Sequence, residues 1–466
     1  MRVLLLNPAI RAEQFGRFAS LLEPMPCIGV AYVATFLARA GHEVRVYDDF
    51  ALRGGEEAVL ALLRDFRPQA LGVSVLTPVA NAMKALMQRA RTSLPQLRIF
   101  AGNLHADLFP EEFAGLCEAI VHGEGEQASV DLLAAWESGE SGQGIAGVTV
   151  YAEDGSPVRG PDRPAERDLD SYPFPDWSLL PYSRYSLLPL GTIARPIVAI
   201  AASRGCPYSC SYCSLTNQGG IYRQRSVANV VDEIEHDVLR YGVKQLGFMD
   251  PIFPINDRHA VRFADEMERR GLNERVVWLS ELRTDSVTRA GLQAMKRSGA
   301  RRLVFGIETG DDVLLEGVSK RNTGDRSRQT IAHCRELGIT TVGLFMIGLP
   351  GETPEQTRAT VDYACSLQLD FAKFAITVPF PGSKLFEDRW QKDLFRDDWE
   401  NYTTFNPDPD RLIYHPPGYD PAQLVKMQSW ALRRFYMRPR QLRKQFVDLR
   451  TISPKMLLYG LYGMAI

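Results

Sequence analysis

Cysteine is scarce in this 466-residue chain, which has only 7 of them, and no uninterrupted apolar run is long enough to cross a membrane. So few cysteines exclude a secreted scaffold held together by disulfides. An excess of one charge is also missing, because the formal net charge is −2, and no global field draws the chain to nucleic acid. The apolar segment at residues 1–8 ends at Asn7-Pro8, too early for a secretory signal. We therefore expect a cytoplasmic globular protein of two or three domains.

Three of the seven cysteines lie close together, in Cys206-Pro-Tyr-Ser-Cys210-Ser-Tyr-Cys213. Thiolates at this spacing favour zinc, copper(I) or an iron–sulfur cluster. A structural zinc site needs four protein ligands, and no second C-x2-C pair or H-x3-H pair is present to complete one locally. A four-iron cluster held by three cysteines leaves one iron open, which favours catalysis. An iron–sulfur cluster is therefore the favoured hypothesis, with zinc or inert thiols as alternatives.

The segment Ser203–Cys213 resembles the signature of the radical S-adenosylmethionine (SAM) superfamily, and Tyr212 matches the aromatic residue usual before the last cysteine. The resemblance implies that Cys206, Cys210 and Cys213 hold a [4Fe–4S] cluster and are the catalytic residues. The methionine part of SAM would then chelate the remaining iron. It also implies an electron donor of the flavodoxin or ferredoxin type.

The amino-terminal third alternates strand-like apolar runs with helical segments. This pattern predicts an α/β, doubly wound parallel sheet of the Rossmann or flavodoxin type, whose ligands bind in the loops after the strands. With the cysteine motif downstream, these loops resemble the cobalamin-binding domain of B12-dependent radical SAM enzymes, the family of methylases and anaerobic cyclases. The resemblance assigns cobalamin contacts to residues of four such loops: Pro8; Ser74, Leu76 and Thr77; Gly102, Asn103 and His105; Gly123, Glu124, Gly125 and Glu126.

The chain departs from classical cobalamin-binding domains in one respect. It has no Asp-x-His-x-x-Gly motif, which in those domains supplies the lower cobalt ligand. His105 and His122 lie in other loops, where a histidine is more often a hydrogen-bonding residue than a metal ligand. We therefore expect cobalamin to bind without a histidine ligand to cobalt.

Six further strand-like runs, each followed by a helical stretch, begin at residue 197. Six βα units predict a partial (β/α)6 barrel of the TIM type, in which functional residues lie at the carboxyl ends of strands. The six runs are Ile197–Ala202, Gln245–Met249, Val276–Leu282, Arg302–Ile307, Thr340–Ile347 and Phe371–Val378.

Polar residues and glycines stand at the ends of these strands. The resemblance assigns SAM contacts to Tyr212 and to five of them: Asp250, Arg283, Glu308, Gly348 and Pro350. Each has an alternative. Glu308 is also compatible with a surface carboxylate, Arg283 with an ion pair to Glu281, and the glycine turn with a structural role. The acidic residues that relatives often carry after the position of Asp250 are missing here.

The carboxyl-terminal region becomes helical and aromatic, with a basic stretch between Arg433 and Lys444 and a mostly apolar end at Met456–Ile466. We favour packing of this region against the barrel. The alternative is peripheral contact with the inner face of a membrane, which would favour a lipid substrate. Composition and the resemblance together predict four parts. The resemblance implies a cobalamin-binding domain at 1–140, a linker at 141–192, a radical SAM barrel at 193–388 and a helical region at 389–466.

The resemblance implies an enzyme that uses a 5′-deoxyadenosyl radical from SAM to functionalise an unactivated carbon. The first hypothesis is C-methylation of a small-molecule or lipid substrate, with [4Fe–4S], SAM and cobalamin as cofactors. The second is cyclisation, rearrangement or oxygenation without methyl transfer. A tRNA-modifying enzyme is a third, although no cysteine-rich amino-terminal domain or basic RNA module is present. A non-catalytic cobalamin or redox sensor is the fourth.

Overall fold

The computed structural model describes residues 1–10, 14, 23–187, 192–217, 221–390, 398–405 and 408–447. They belong to two compact units. The first is drawn from residues within 1–11, 24–185 and 396–402, and the second from residues within 12–23, 186–395 and 403–466.

The first unit is built on a seven-stranded sheet of order β2-β1-β3-β4-β5-β6-β7. The first five strands are parallel, and β6 and β7 extend one edge in the antiparallel sense. Both antiparallel strands come from the segment expected to be a linker, where a tight turn with Gly155 at φ +82° joins them. The strands are β1 (Arg2–Asn7), β2 (Glu43–Asp48), β3 (Ala70–Ser74), β4 (Arg98–Gly102), β5 (Ala119–Val121), β6 (Val148–Tyr151) and β7 (Pro157–Arg159).

Helices cover this parallel sheet, and its central strands are accordingly apolar along their length. In β1 the four residues from Val3 to Leu6 are all buried, as expected for a strand with both faces covered. One core cluster contains Val3, Ala34 of α1 and Trp136 of α6. The helices are α1 (Ile28–Arg39), α2 (Asp49–Leu52), α3 (Gly55–Phe66), α4 (Ala80–Ser93), α5 (Leu104–Leu108) and α6 (Gly125–Glu137).

The second unit is built on a six-stranded parallel sheet, with its strands side by side in chain order and β8 and β15 at the two edges. This open arrangement confirms the predicted partial barrel. The short strands β9 (Ser203–Arg204) and β10 (Arg223–Gln224) form a separate antiparallel pair. The barrel strands are β8 (Ile197–Ile200), β11 (Gln245–Phe248), β12 (Val277–Arg283), β13 (Ala300–Glu308), β14 (Thr340–Ile347) and β15 (Phe371–Ile376).

Helices follow the barrel strands, and two more lie near the carboxyl terminus. Amphipathic sequences place one apolar stripe of each helix on the sheet. They are α7 (Val227–Tyr241), α8 (Asp257–Arg269), α9 (Arg289–Arg297), α10 (Asp312–Gly317), α11 (Gly324–Glu336), α12 (Pro354–Ser366), α13 (Lys384–Trp390), α14 (Pro421–Tyr436) and α15 (Pro439–Val447).

The last two helices pack on the edge of the barrel sheet. Phe435 of α14 makes an edge contact with Phe374 of β15 at 6.2 Å between ring centroids, and the Gln441 amide of α15 donates to the Leu369 carbonyl at 2.8 Å. Two of the basic residues pair with acids of the same unit, Arg434 with Asp362 and Lys444 with Asp370. The described part of the basic stretch therefore contacts the barrel, whereas Met456–Ile466 lies outside the described residues. None of the helices in the described ranges combines the length and the apolar character that a membrane span requires.

Candidate cluster and cofactor site

The three clustered cysteines lie on one loop, closed at its base by β9 and β10. Gly205, next to Cys206, has φ +78°, and a Cβ there would lie 2.6 Å from the Ile221 carbonyl oxygen. Only glycine fits where the two ends of the loop cross. Arg225, just after β10, is buried in an ion pair with Glu233 of α7, which anchors the returning chain.

None of the three thiols is part of a disulfide, and all three are half-buried. The Cys213 amide donates to the Cys210 carbonyl at 3.1 Å, which folds the second half of the motif into a turn. Burial raises the pKa of Cys206 and of Cys213. Within the described ranges, no three His, Cys, Asp or Glu side chains converge closely enough to hold one metal ion. A [4Fe–4S] cluster needs its ligands further apart than a single ion does, because each cysteine binds a different iron. Three thiols on one loop, none of them in a disulfide, fit that requirement.

Arg283 ends β12 beside this loop. Its Nη1 lies 3.9 Å from Cys210 Sγ, and its guanidinium carbon lies 4.0 Å from the centre of the Tyr208 ring. The guanidinium donates twice to Asp285, Nε to Oδ1 at 2.9 Å and Nη2 to Oδ2 at 2.8 Å. The sequence offered an ion pair between Arg283 and Glu281 as an alternative role. In the structure, Arg283 pairs with Asp285 instead. The cation still faces the thiols.

Glu308 ends β13 in a strained conformation. Its φ is +65°, and the register between β13 and β14 shifts between Gly306 and Glu308. The Tyr212 hydroxyl donates to Glu308 Oε1 at 2.8 Å, and the buried Lys320 ammonium donates to the same oxygen and, at 2.9 Å, to the Gly306 carbonyl. Burial and the nearby Glu308 charge raise the pKa of Tyr212 well above its usual value. The structure therefore joins Tyr212 directly to Glu308 and adds to this pair a lysine, Lys320, that the sequence did not indicate.

Asp250 follows β11 and is buried. Its carboxylate accepts hydrogen bonds from the Ser203 hydroxyl and, at 3.1 Å, from the Ala202 amide. Burial raises its pKa to about 6. These bonds tie the end of β11 to the start of the cluster loop, and a contact of Asp250 with SAM stays a prediction.

The glycine turn after β14 is held from several sides. Gly348 has φ +76°, and a Cβ there would lie 3.1 Å from Leu424 of α14. Glu352 closes the turn by accepting the Leu349 amide at 2.7 Å, and the Leu349 side chain packs in one cluster with Tyr212. The turn thus lies near the cysteine loop, while direct contacts of Gly348 and Pro350 with SAM stay predictions.

In the first unit, the loops assigned to cobalamin follow β1, β3, β4 and β5, so all lie at the carboxyl edge of one parallel sheet. Two of them meet directly, because the Asn103 amide donates to the Ser74 hydroxyl at 3.0 Å. Asn103 has φ +76°, a conformation that asparagine tolerates better than most residues. Leu76 is 44% exposed at the same edge, whereas Thr77 is buried. Pro8 directly follows β1, and Gly102 is the last residue of β4.

The loop after β5 turns sharply into α6. Gly123 has φ +61°, and its amide donates to Asp107 at 3.3 Å. Glu124 accepts from the Tyr172 hydroxyl at 3.4 Å. Gly125 begins α6, where a Cβ would lie 3.3 Å from Val121, and Glu126 is buried.

The two histidines near these loops are engaged to different extents, because Nδ1 of His105 is buried with no hydrogen-bond partner among the described residues. His105 is fully buried, with its ring 4.9 Å from that of Trp399 and its Nε2 3.5 Å from Glu112. His122 uses both ring nitrogens, Nδ1 with Asp107 and Nε2 with Thr149 at 2.7 Å. The structure thus gives His105 a packing role, and its predicted contact with cobalamin stays a prediction.

Comparison with known protein families decides the identity of these two units. The radical SAM superfamily matches residues 200–364, and the B12 binding domain matches residues 17–133. The chain carries a radical SAM domain and a B12-binding domain. The first match spans the cysteine loop, Arg283 and Glu308, and the second spans three of the four loops assigned to cobalamin, which confirms the family inferred from the motifs.

Known relatives of this B12-binding radical SAM protein cover most of its length. An uncharacterized methyltransferase of Pyrococcus horikoshii is 29% identical over 441 residues, covering 94% of this chain and 93% of the relative. An anaerobic magnesium-protoporphyrin IX monomethyl ester cyclase of Rubrivivax gelatinosus is 29% identical over 448 residues, covering 94% and 78%. Among solved structures, the radical SAM methyltransferase TsrM of Kitasatospora setae, with cobalamin and a [4Fe–4S] cluster bound, matches with a TM-score of 0.68 and 22% identity, covering 84% of this chain and 78% of that one. The last match confirms the fold.

Proposed function

We propose that the protein is a cobalamin-dependent radical SAM C-methyltransferase acting on a small-molecule substrate. The observation that carries the proposal is the pairing, in one chain, of a B12-binding domain with a three-cysteine loop flanked by Arg283 and by the Glu308–Lys320 pair. When bound, the reduced cluster supplies the electron that cleaves SAM to a carbon-centred radical, and cobalamin supplies the methyl group.

The chain's own residues would hold and orient these cofactors. Cys206, Cys210 and Cys213 each offer one thiolate, so three irons gain protein ligands and the fourth remains for SAM. The Arg283 guanidinium, 3.9 Å from Cys210 Sγ, places a positive charge beside the loop that would offset the negative charge of a bound cluster.

Glu308 is suited to the positively charged and hydroxyl groups of SAM. Its Oε1 is occupied by Tyr212 and Lys320, which fixes the carboxylate in place. We assign its other oxygen to the ammonium group or the ribose hydroxyls of SAM. The turn containing Gly348 and Pro350, which Leu349 joins to the Tyr212 cluster, is assigned to the adenosine.

The first unit would bind cobalamin at the carboxyl edge of its sheet. Small and polar loop residues let a bulky ring approach the backbone there, and Leu76 offers an exposed apolar side chain. Because His105 is buried and both nitrogens of His122 are bonded, we propose a cobalt without a histidine ligand. A one-electron donor of the flavodoxin or ferredoxin type would reduce the cluster.

Cyclisation without methyl transfer is the second candidate. The cyclase relative and the methyltransferase relative share the same 29% identity with this chain. The mass of the product separates the two, because only methylation adds a methyl group.

The test is anaerobic incubation of the reconstituted protein with SAM, a reductant and cobalamin, followed by detection of 5′-deoxyadenosine and of corrin absorbance. We expect both in the wild-type protein. Cys210→Ala should abolish 5′-deoxyadenosine formation and leave corrin binding intact, while Cys365→Ala, on α12, should change neither. SAM cleavage that survives Cys210→Ala, or corrin binding by a wild-type protein that never cleaves SAM, would overturn the proposal; the second result would favour a sensor.

A further inference from the structure

The interior face of the barrel carries an acid between its apolar floor and the cluster loop. On β12, Trp278 packs against phenyl rings on the helix side, so the alternate residues Leu279, Glu281 and Arg283 face the interior. Leu279 is buried in a cluster with Ile197 that fills the floor, and Arg283 reaches the cysteine loop. Glu281 lies between them and is exposed.

A base lies on the same interior face, three strands away. On β15, Phe374 packs against α14 through Phe435, so Lys373 points to the interior. The register of neighbouring strands places Lys373 and Arg283 at one level of the barrel. Between them, at the same level, lie Leu344 of β14 and Gly306 of β13. Glu281 is the next interior residue below that level. Lys373 is exposed, with its Nζ 5.0 Å from the centre of the Phe405 ring.

Neither charge has a hydrogen-bonding or ion-pairing partner. Across the part of the chain that the structure describes, no side chain bonds to the Glu281 carboxylate or to the Lys373 ammonium. The surrounding barrel wall nevertheless raises the pKa of Glu281 and lowers that of Lys373, and each of the two charges partly offsets the shift of the other. Polar groups that are enclosed, unpaired and close to a reactive centre are typical of ligand sites.

We propose that Glu281 and Lys373 bind the substrate, and that the substrate is a polar small molecule carrying a carboxylate for Lys373 and an ammonium or another hydrogen-bond donor for Glu281. The inference rests on the proposed function, because it takes the space below the cluster loop as the place of reaction. It excludes a purely hydrocarbon lipid, which would strip water from both charges without replacing their hydrogen bonds.

The test measures binding and not turnover. Saturation-transfer NMR on the full-length reconstituted protein would compare four probes. L-phenylalanine carries both charged groups, 3-phenylpropionate only the carboxylate, phenethylamine only the ammonium and propylbenzene neither. Saturating S-adenosylhomocysteine keeps these probes out of the SAM site. We expect L-phenylalanine to bind most tightly and propylbenzene most weakly.

Variants assign the two subsites. Lys373→Met should weaken binding of the two carboxylate probes roughly tenfold and leave binding of phenethylamine unchanged. Glu281→Gln should weaken binding of the two amine probes by a similar factor and leave binding of 3-phenylpropionate unchanged. Lys426→Met on α14 and Glu274→Gln, both at exposed positions, are the matched controls and should change nothing. Equal binding of propylbenzene and L-phenylalanine, no binding of any probe, or no effect of either variant would overturn the inference. If the protein binds the probes with the expected selectivity but cleaves no SAM, the proposed function is refuted while this inference stands.

Discussion

The Tyr212 hydroxyl donates a hydrogen bond of 2.8 Å to the Glu308 carboxylate, and so joins the cysteine loop to the end of β13. Tyr212 directly precedes the third cysteine, and Glu308 is held at φ +65° by a shift in strand register. The residue next to a cluster ligand and the acid assigned to SAM are therefore parts of one network. Replacing either residue is therefore expected to affect the position of the other.

Tyr212→Phe tests this link. The variant keeps the aromatic packing and removes one hydrogen bond to a charged group, so we expect SAM to bind about tenfold more weakly with no loss of iron. Equilibrium dialysis with SAM under anaerobic conditions measures the change. Tyr363→Phe removes a comparable hydroxyl, bonded to Gly324, and should leave SAM affinity as it was. Equal SAM affinity in the wild type and Tyr212→Phe would show that the bond does not position Glu308.

Lys320 is expected to be the residue that makes a buried Glu308 tolerable. Both side chains are buried, so Lys320→Met would leave an unpaired carboxylate and lower the free energy of unfolding by about 3–5 kcal/mol. The double variant Lys320→Met/Glu308→Gln removes that charge and should recover most of the loss. Anaerobic urea unfolding gives both values. A double variant as unstable as the single one would contradict the charge argument.

Gly306 provides the space that the pair occupies. A Cβ at this position would lie 2.9 Å from both Glu308 Oε1 and Lys320 Nζ. Because these atoms are ends of flexible side chains, Gly306→Ala should fold but displace the pair, and so weaken SAM binding about tenfold. Gly317→Ala, where a Cβ meets nothing within 4 Å, is the control. If both variants bind SAM as the wild type does, the pair has no part in SAM binding.

Asp250 gives a predicted dependence of stability on pH. Burial raises its pKa to about 6, above the ordinary value of 3.8, so between these values the folded state binds more protons than the unfolded state. The free energy of unfolding should therefore fall as pH rises from about 4 to 6, by about 2–3 kcal/mol for this group. In cluster-free protein, the difference between wild type and Asp250→Asn should show this fall and level off above pH 7. A difference that is flat or rises over that window would contradict it.

Local sequence patterns were enough to locate the cysteine loop and the ends of the barrel strands. Three cysteines within one loop and an acid directly after the apolar run of β13 are visible without a fold, because the chemistry lies within a few residues. The six barrel strands were equally clear, since each is a buried apolar run followed by a helix. The antiparallel strands β6 and β7 were not, because they are short and lie in a segment rich in glycine and proline.

Contacts between distant residues could not be found in the same way. Lys320 lies beyond α10, and only the folded chain brings its ammonium to Glu308. The burial of His105 depends on Trp399, which lies almost three hundred residues further along the chain. No periodicity in the sequence reports such a contact.

The metal content of anaerobically reconstituted protein tests the central claim most directly. We predict about four irons and four sulfides per chain, with a cluster signal in electron paramagnetic resonance after reduction that changes when SAM is added. The triple variant Cys206→Ala/Cys210→Ala/Cys213→Ala should lose the iron. Stoichiometric zinc at this loop, or iron that remains in the triple variant, would contradict the account.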